Sequence, residues 1–167
     1  MIFRQLLDKT SSTYTYLLAE RKGGEALLID PVLENTDQYV RLVDELDLQL
    51  VKAVDTHIHA DHVTALGALR ERTGCLTAMG AMTRAECVSV HFHEGEKLCV
   101  DNLQLDILYT PGHTAGGVTW TWQSCAMNVC YDVVYADSLT PVSAQGFSFA
   151  ASGAADALIE SAGVIGD

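Results

Sequence analysis

At 167 residues the chain is one domain's worth of polypeptide, and its 49% hydrophobic content is ample for a sizeable core. A formal charge of −12 repels phosphate backbones and anionic lipid, which argues against nucleic acid and membrane surfaces as partners. The opening segment, Met1 to Lys9, has no apolar core behind a basic start, and no later run is long enough to span a bilayer, so the expected compartment is the cytoplasm.

In chain order, strands are predicted at Ile2 to Leu7, Tyr14 to Ala19 and Glu25 to Asp30, with Lys22-Gly23-Gly24 as a hairpin turn. From about Thr36 to Leu46, Tyr39, Val40, Val43 and Leu46 form one face of a helix. Leu50 to Asp55 is mostly apolar and partly alternating, a strand. It is followed by helical apolar spacing over Val63 to Arg72, at Val63, Leu66 and Leu69. Leu103 to Tyr109 and Val133 to Ser138 read as further strands, and Trp120 and Trp122 alternate on another, where packing is favoured over ligand stacking. Strand hairpins first and crossover helices later predict a mixed sheet covered by helices, in a single domain over residues 1–167.

Five cysteines, an odd number without any Cys-x-x-Cys, fit reduced thiols in a cytosolic chain. Cys125 and Cys130 flank the expected turn at 126–129 and could face each other, but the expected compartment argues against a bond between them.

Between the strand ending at Asp55 and the following helix lies His57-Ile58-His59-Ala60-Asp61-His62, with four metal-capable side chains in six positions. Residues i and i+2 on an extended segment point to one side, so the spacing packs imidazole and carboxylate around a point. A set of unrelated surface residues is the weaker alternative, because three histidines and an aspartate seldom fall so close in a chain with six histidines. Further ligands must come from elsewhere. His113 follows the 103–109 strand in a Pro-Gly turn, and Asp137 ends the strand run at 133–138. His91-Phe92-His93 mimics a metal pair but precedes Glu94-Gly95-Glu96 with no partner motif, and reads as a solvated strand face. Asp30, before Pro31, suits either a turn cap or a carboxylate that orients a ligand.

His57-x-His59-x-Asp61-His62, Gly112-His113-Thr114 and a strand-end Asp137 together resemble the metallo-β-lactamase superfamily. The resemblance implies an α/β fold, an αββα sandwich with its metal site at one edge and here an incomplete second half. Over residues 1–113, segments such as 11–18, 28–32, 55–64 and 69–75 are similar to persulfide dioxygenases, the iron enzymes that oxidise glutathione persulfide. Over residues 111–149, 116–122 and 134–143 look instead like zinc β-lactamases. The chain therefore reads as a hybrid, with a join near 111–114.

The two branches imply different uses of the same residues. In the dioxygenase pattern His57, His113 and Asp137 hold Fe(II) and leave positions open for substrate and oxygen. In the β-lactamase pattern His57, His59 and His113 hold one Zn(II), and Asp61 and His62 a second with a late histidine that this sequence lacks. Asp61 and His62 are the candidate catalytic residues. No Arg or Lys follows Asp137, so the family's arginine-bearing segment for glutathione is absent from this sequence. The leading expectation is a persulfide-dioxygenase-like enzyme acting on a thiol persulfide. A zinc hydrolase of lactams or thioesters is the alternative, and an inactive metal-binding fragment a third. Association as a homodimer is left open.

Overall fold

Three strands open the chain: β1 (Ile2–Leu7), β2 (Tyr14–Ala19) and β3 (Glu25–Ile29), which pair antiparallel in turn. The computed structural model describes residues 1–111, 114 and 116–136. Alternation along β2 and β3 divides their side chains between two cores, with Leu18, Leu27 and Ile29 on one side and Leu17, Ala19, Ala26 and Leu28 on the other. The turn between them contains Gly23 at φ +72°, a backbone region that glycine enters without steric cost.

Helix α1 (Thr36–Glu45) buries Tyr39 and Val43 and packs Val40 and Leu46 alongside them, the face expected from their spacing. It returns the chain to β4 (Gln49–Val54), which runs parallel to β3. Helix α2 spans Leu66–Thr73, three residues shorter at its start than the apolar spacing predicts. Val63 is 60% exposed, because residues 63–65 are held by the segment after β3 instead. Thr64 forms a bridge with Val32, Val63 accepts from the Leu33 amide, and the Ala65 amide donates to Pro31. Gly74, at φ +75°, ends α2 in the left-handed conformation. The strands β5 (Leu76–Gly80) and β6 (Val90–Phe92) continue the sheet in parallel, giving the order β1-β2-β3-β4-β5-β6.

A second, antiparallel sheet has the order β10-β9-β8-β7, from β7 (Lys97–Val100), β8 (Leu103–Tyr109), β9 (Val118–Ala126) and β10 (Val129–Tyr135). The two sheets stack through Leu18, Leu27, Ile29, Val54 and Phe92 of the first and Leu105, Ile107, Val118, Trp120 and Trp122 of the second. Trp120 meets Phe92 edge to face with centroids 5.1 Å apart, so both tryptophans are core residues. The helices cover the other face of the first sheet. Helix, sheet and sheet are thus three layers of the expected αββα sandwich. Among the described residues no helix is long and apolar enough to cross a membrane.

The β9–β10 hairpin overturns the expectation of five free thiols. Met127 and Asn128, at φ +50° and +64°, make a two-residue turn that sets Cys125 opposite Cys130, and the two form a disulfide. The register places the two sulfurs within bonding reach, and the bond persists where the surroundings are oxidising. Cys75, Cys87 and Cys99 are free. Alkylation of the denatured, unreduced protein is therefore expected to label three cysteines by mass and five after reduction. Reduction should lower the stability to urea by about 2 kcal/mol, the value for so short a closed loop.

Candidate metal centre

Because β3 and β4 are parallel, their C-terminal ends lie side by side, and the segments that leave them carry the polar residues of the site. Asp30 follows β3 at φ +52° and is almost fully buried. Its Oδ1 accepts from the Thr56 amide (2.7 Å) and faces His59 Nε2 (3.2 Å). Its Oδ2 accepts from the Thr56 hydroxyl (3.0 Å) and the Tyr135 phenol (2.6 Å). A buried carboxylate is costly unless so satisfied.

Over residues 57–60 the side chains alternate between the interior and solvent. Ile58 is exposed, and His57 and His59 share the inner side with ring centroids 4.2 Å apart. His62 joins them, its ring 4.3 Å from that of His59. Thr13, from the loop between β1 and β2, donates to Asp61 Oδ2 at 2.7 Å and lies 3.2 Å from His62 Nδ1. His59, Asp61 and His62 each offer a ligand atom, all within 4.8 Å of one another, and a second such group is Asp30, Asp55 and His59.

The charges are arranged unevenly. Burial alone would raise the Asp30 pKa, but the bonds from His59, Tyr135 and Thr56 outweigh it and hold the carboxyl below its usual range. Asp55, next to it and without partners on Asp30's scale, is pushed up to about 8 by burial and then by the Asp30 charge. His59 is partly buried, which disfavours its charge, yet the bond and charge of Asp30 raise its pKa. Asp61 is lowered to about 2, the Thr13 and His62 bonds overcoming its partial burial.

Four of the six residues expected at the site are brought together: His57, His59, Asp61 and His62. His113 and Asp137 lie outside the described residues. The described backbone beside 113 is anchored at the site, with the Thr110 amide on Gly117 and the Val118 amide on Thr56. Gly116 sits so close to Thr83 that an added Cβ would stand 2.7 Å from the Thr83 amide nitrogen. His91 is exposed and bonds the Ala85 carbonyl, as a solvated face predicts.

The donor set fits a divalent cation. His62 Nε2 is buried and has no hydrogen-bond partner, while its Nδ1 is engaged by Asp61. Such an atom is costly in the absence of a cation or proton to meet it. With Nε2–H donating to Asp30, His59 keeps the Nδ1 lone pair for a cation, 3.8 Å from Asp61 Oδ1.

A family profile, the Metallo-beta-lactamase superfamily, matches residues 9–97, more than half of the sequence. The chain belongs to this superfamily. The mouse (Mus musculus) protein named Persulfide dioxygenase ETHE1, mitochondrial, is 40% identical over 128 residues, 76% of this chain and 50% of that protein. The crystal structure of ETHE1 from Myxococcus xanthus matches with a TM-score of 0.70 at 47% identity, over 73% of this chain and 54% of its own. The Hydroxyacylglutathione hydrolase of Methylococcus capsulatus is 30% identical over 125 residues, 74% of this chain and 48% of that protein. The chain thus spans about half the length of these relatives.

Sequence reasoning missed Thr13, Asp55, Thr56 and Tyr135 as parts of this metallo-β-lactamase centre. Asp55 and Thr56 stand directly before the histidine motif, a position that marks them as neighbours of any ligand there. Thr13 and Tyr135 carry no local signal. Removing the hub leaves its buried donors unmet, so Asp30→Ala is expected to destabilise the fold by about 3–5 kcal/mol in urea titration at neutral pH.

Proposed function

We propose that this chain carries the metal-binding part of a persulfide-dioxygenase-like enzyme, with Fe(II) held by His57, His113 and Asp137 and a thiol persulfide, such as glutathione persulfide, as substrate. The observation that carries this reading is the buried cluster of His57, His59 and His62 within the segment shared with persulfide dioxygenases. Two histidines and one carboxylate suit iron that binds both oxygen and a sulfur substrate, which is the chemistry the metal supplies.

The chain's own residues account for the surroundings. Asp30 fixes the His59 ring through Nε2, and Thr56 lies 2.8 Å from His57 Nδ1 and steadies that ring. Asp61 stays ionised and holds His62 by Nδ1, so His62 Nε2 is the atom placed to accept a proton from a thiol. The chain's net negative charge opposes an anionic thiol, and a bound cation offsets this locally.

Protein purified without added metal is expected to contain iron and to consume oxygen when given glutathione persulfide. His57→Ala should lose both at least tenfold, while its far-ultraviolet circular dichroism is retained. Zinc as the sole metal, with no oxygen uptake, would overturn the reading.

A second reading has its own observation, the convergence of His59, Asp61 and His62 on a common point, as a second cation would require. On that reading the enzyme is a zinc hydrolase of thioesters or lactams, and the Methylococcus relative is likewise named a hydrolase. Chelator-sensitive hydrolysis of S-lactoylglutathione or a chromogenic cephalosporin in zinc buffer supports it. Metal binding without turnover of any of these substrates points to a fragment that binds metal only.

A further inference from the structure

Tyr135 is the last residue of β10 and lies in the second sheet, 105 positions beyond Asp30. Its phenol donates to Asp30 Oδ2 at 2.6 Å, opposite the oxygen that faces His59. Several contacts fix it there. Tyr135 pairs with the fully buried Trp120 across the hairpin, and its ring lies 4.6 Å from that of Tyr16. The neighbouring strand is tied to the same place by the Val118 amide on the Thr56 carbonyl.

We propose that Tyr135 is a positioning residue for the metal centre: through Asp30 its hydroxyl sets the orientation and donor strength of His59. This rests on the reading of His59 as a ligand or close neighbour of the cation. The reasoning is electrostatic. Asp30 divides its charge among its donors, and each strong donor on Oδ2 leaves less of that charge to draw on the His59 N–H. The phenol also holds the carboxylate plane, since the Thr56 hydroxyl alone would leave Oδ2 with one bond at 3.0 Å. Without it the carboxylate can turn, and the imidazole it steers turns with it. The contact makes the centre sensitive to the packing of the second sheet against the first.

Tyr135→Phe keeps the ring and deletes the donor. Two readouts are made on the full chain: Zn(II) affinity by competition with a chromogenic chelator, and the ring-nitrogen resonances of His59 in the metal-free protein at pH 7. Zinc affinity should fall about tenfold, the lower end of the range for groups that orient a ligand, because losing the fixed carboxylate plane outweighs the stronger pull on the His59 N–H. The His59 resonances should move while those of His91 and His93 stay in place. Replacing Tyr135 by 3-fluorotyrosine, a stronger donor of nearly unchanged shape, should shift them the opposite way and serves if the Phe variant does not fold. Tyr16→Phe, which removes a neighbouring hydroxyl that accepts from Gln5 and leaves both the ring contact and Asp30 in place, should leave them unchanged. Unmoved His59 resonances with zinc affinity within twofold of the parent would reduce Tyr135 to packing and overturn the proposal. Failure of the parent to bind metal would count against the proposed function instead, and the ring-nitrogen readout would still decide the role of Tyr135.

Discussion

The carboxylate of Asp30 is the constraint on which the site depends. It is buried where the ends of β3 and β4 meet the second sheet, and a charge placed there is tolerated only if its lone pairs are filled. Filling them recruits a backbone amide and a hydroxyl from Thr56, an imidazole from the histidine motif and a phenol from β10. One buried charge thereby joins the first sheet, the metal-capable loop and the second sheet. The left-handed backbone at Asp30 belongs to the same arrangement, because it turns the chain out of β3 while leaving the side chain inward.

Around this hub the fold divides its labour. Two apolar cores, one between the sheets and one under the helices, make the first sheet rigid from both sides. The strand ends are then a fixed frame, and the loops leaving them can afford polar and acidic side chains. Thr13, from the turn between β1 and β2 at the same sheet edge, braces Asp61 and His62. Acids and imidazoles concentrated in so small a volume are an arrangement that a divalent cation relieves, since it meets the open imidazole nitrogens and the negative charge together.

Membership of the metallo-β-lactamase superfamily, together with the likeness to persulfide dioxygenases, is consistent with this division. Two bonds from the second sheet reach the same edge of the sandwich: the Val118 amide donates to Thr56, and Tyr135 donates to Asp30.

What could be read from sequence was whatever repeats over a few residues. The apolar runs of β1 to β4, the apolar face of α1 and the i, i+2 histidines are local patterns, and each appears in the structure where the sequence places it. Strands β5 and β7 escaped notice because they are short, and Ala78 and Gly80 give β5 little strand character of their own. The start of α2 depended on pairing of residues 63–65 with 31–33, the disulfide on hairpin register, and the Asp30–Tyr135 bond on the stacking of two sheets. Such contacts join residues far apart in the chain, and no local period encodes them. Residue type determined which atoms could bind a cation, and tertiary structure alone decided which of them meet, because only packing of the two sheets supplies the buried, dry environment that makes each donor seek a partner.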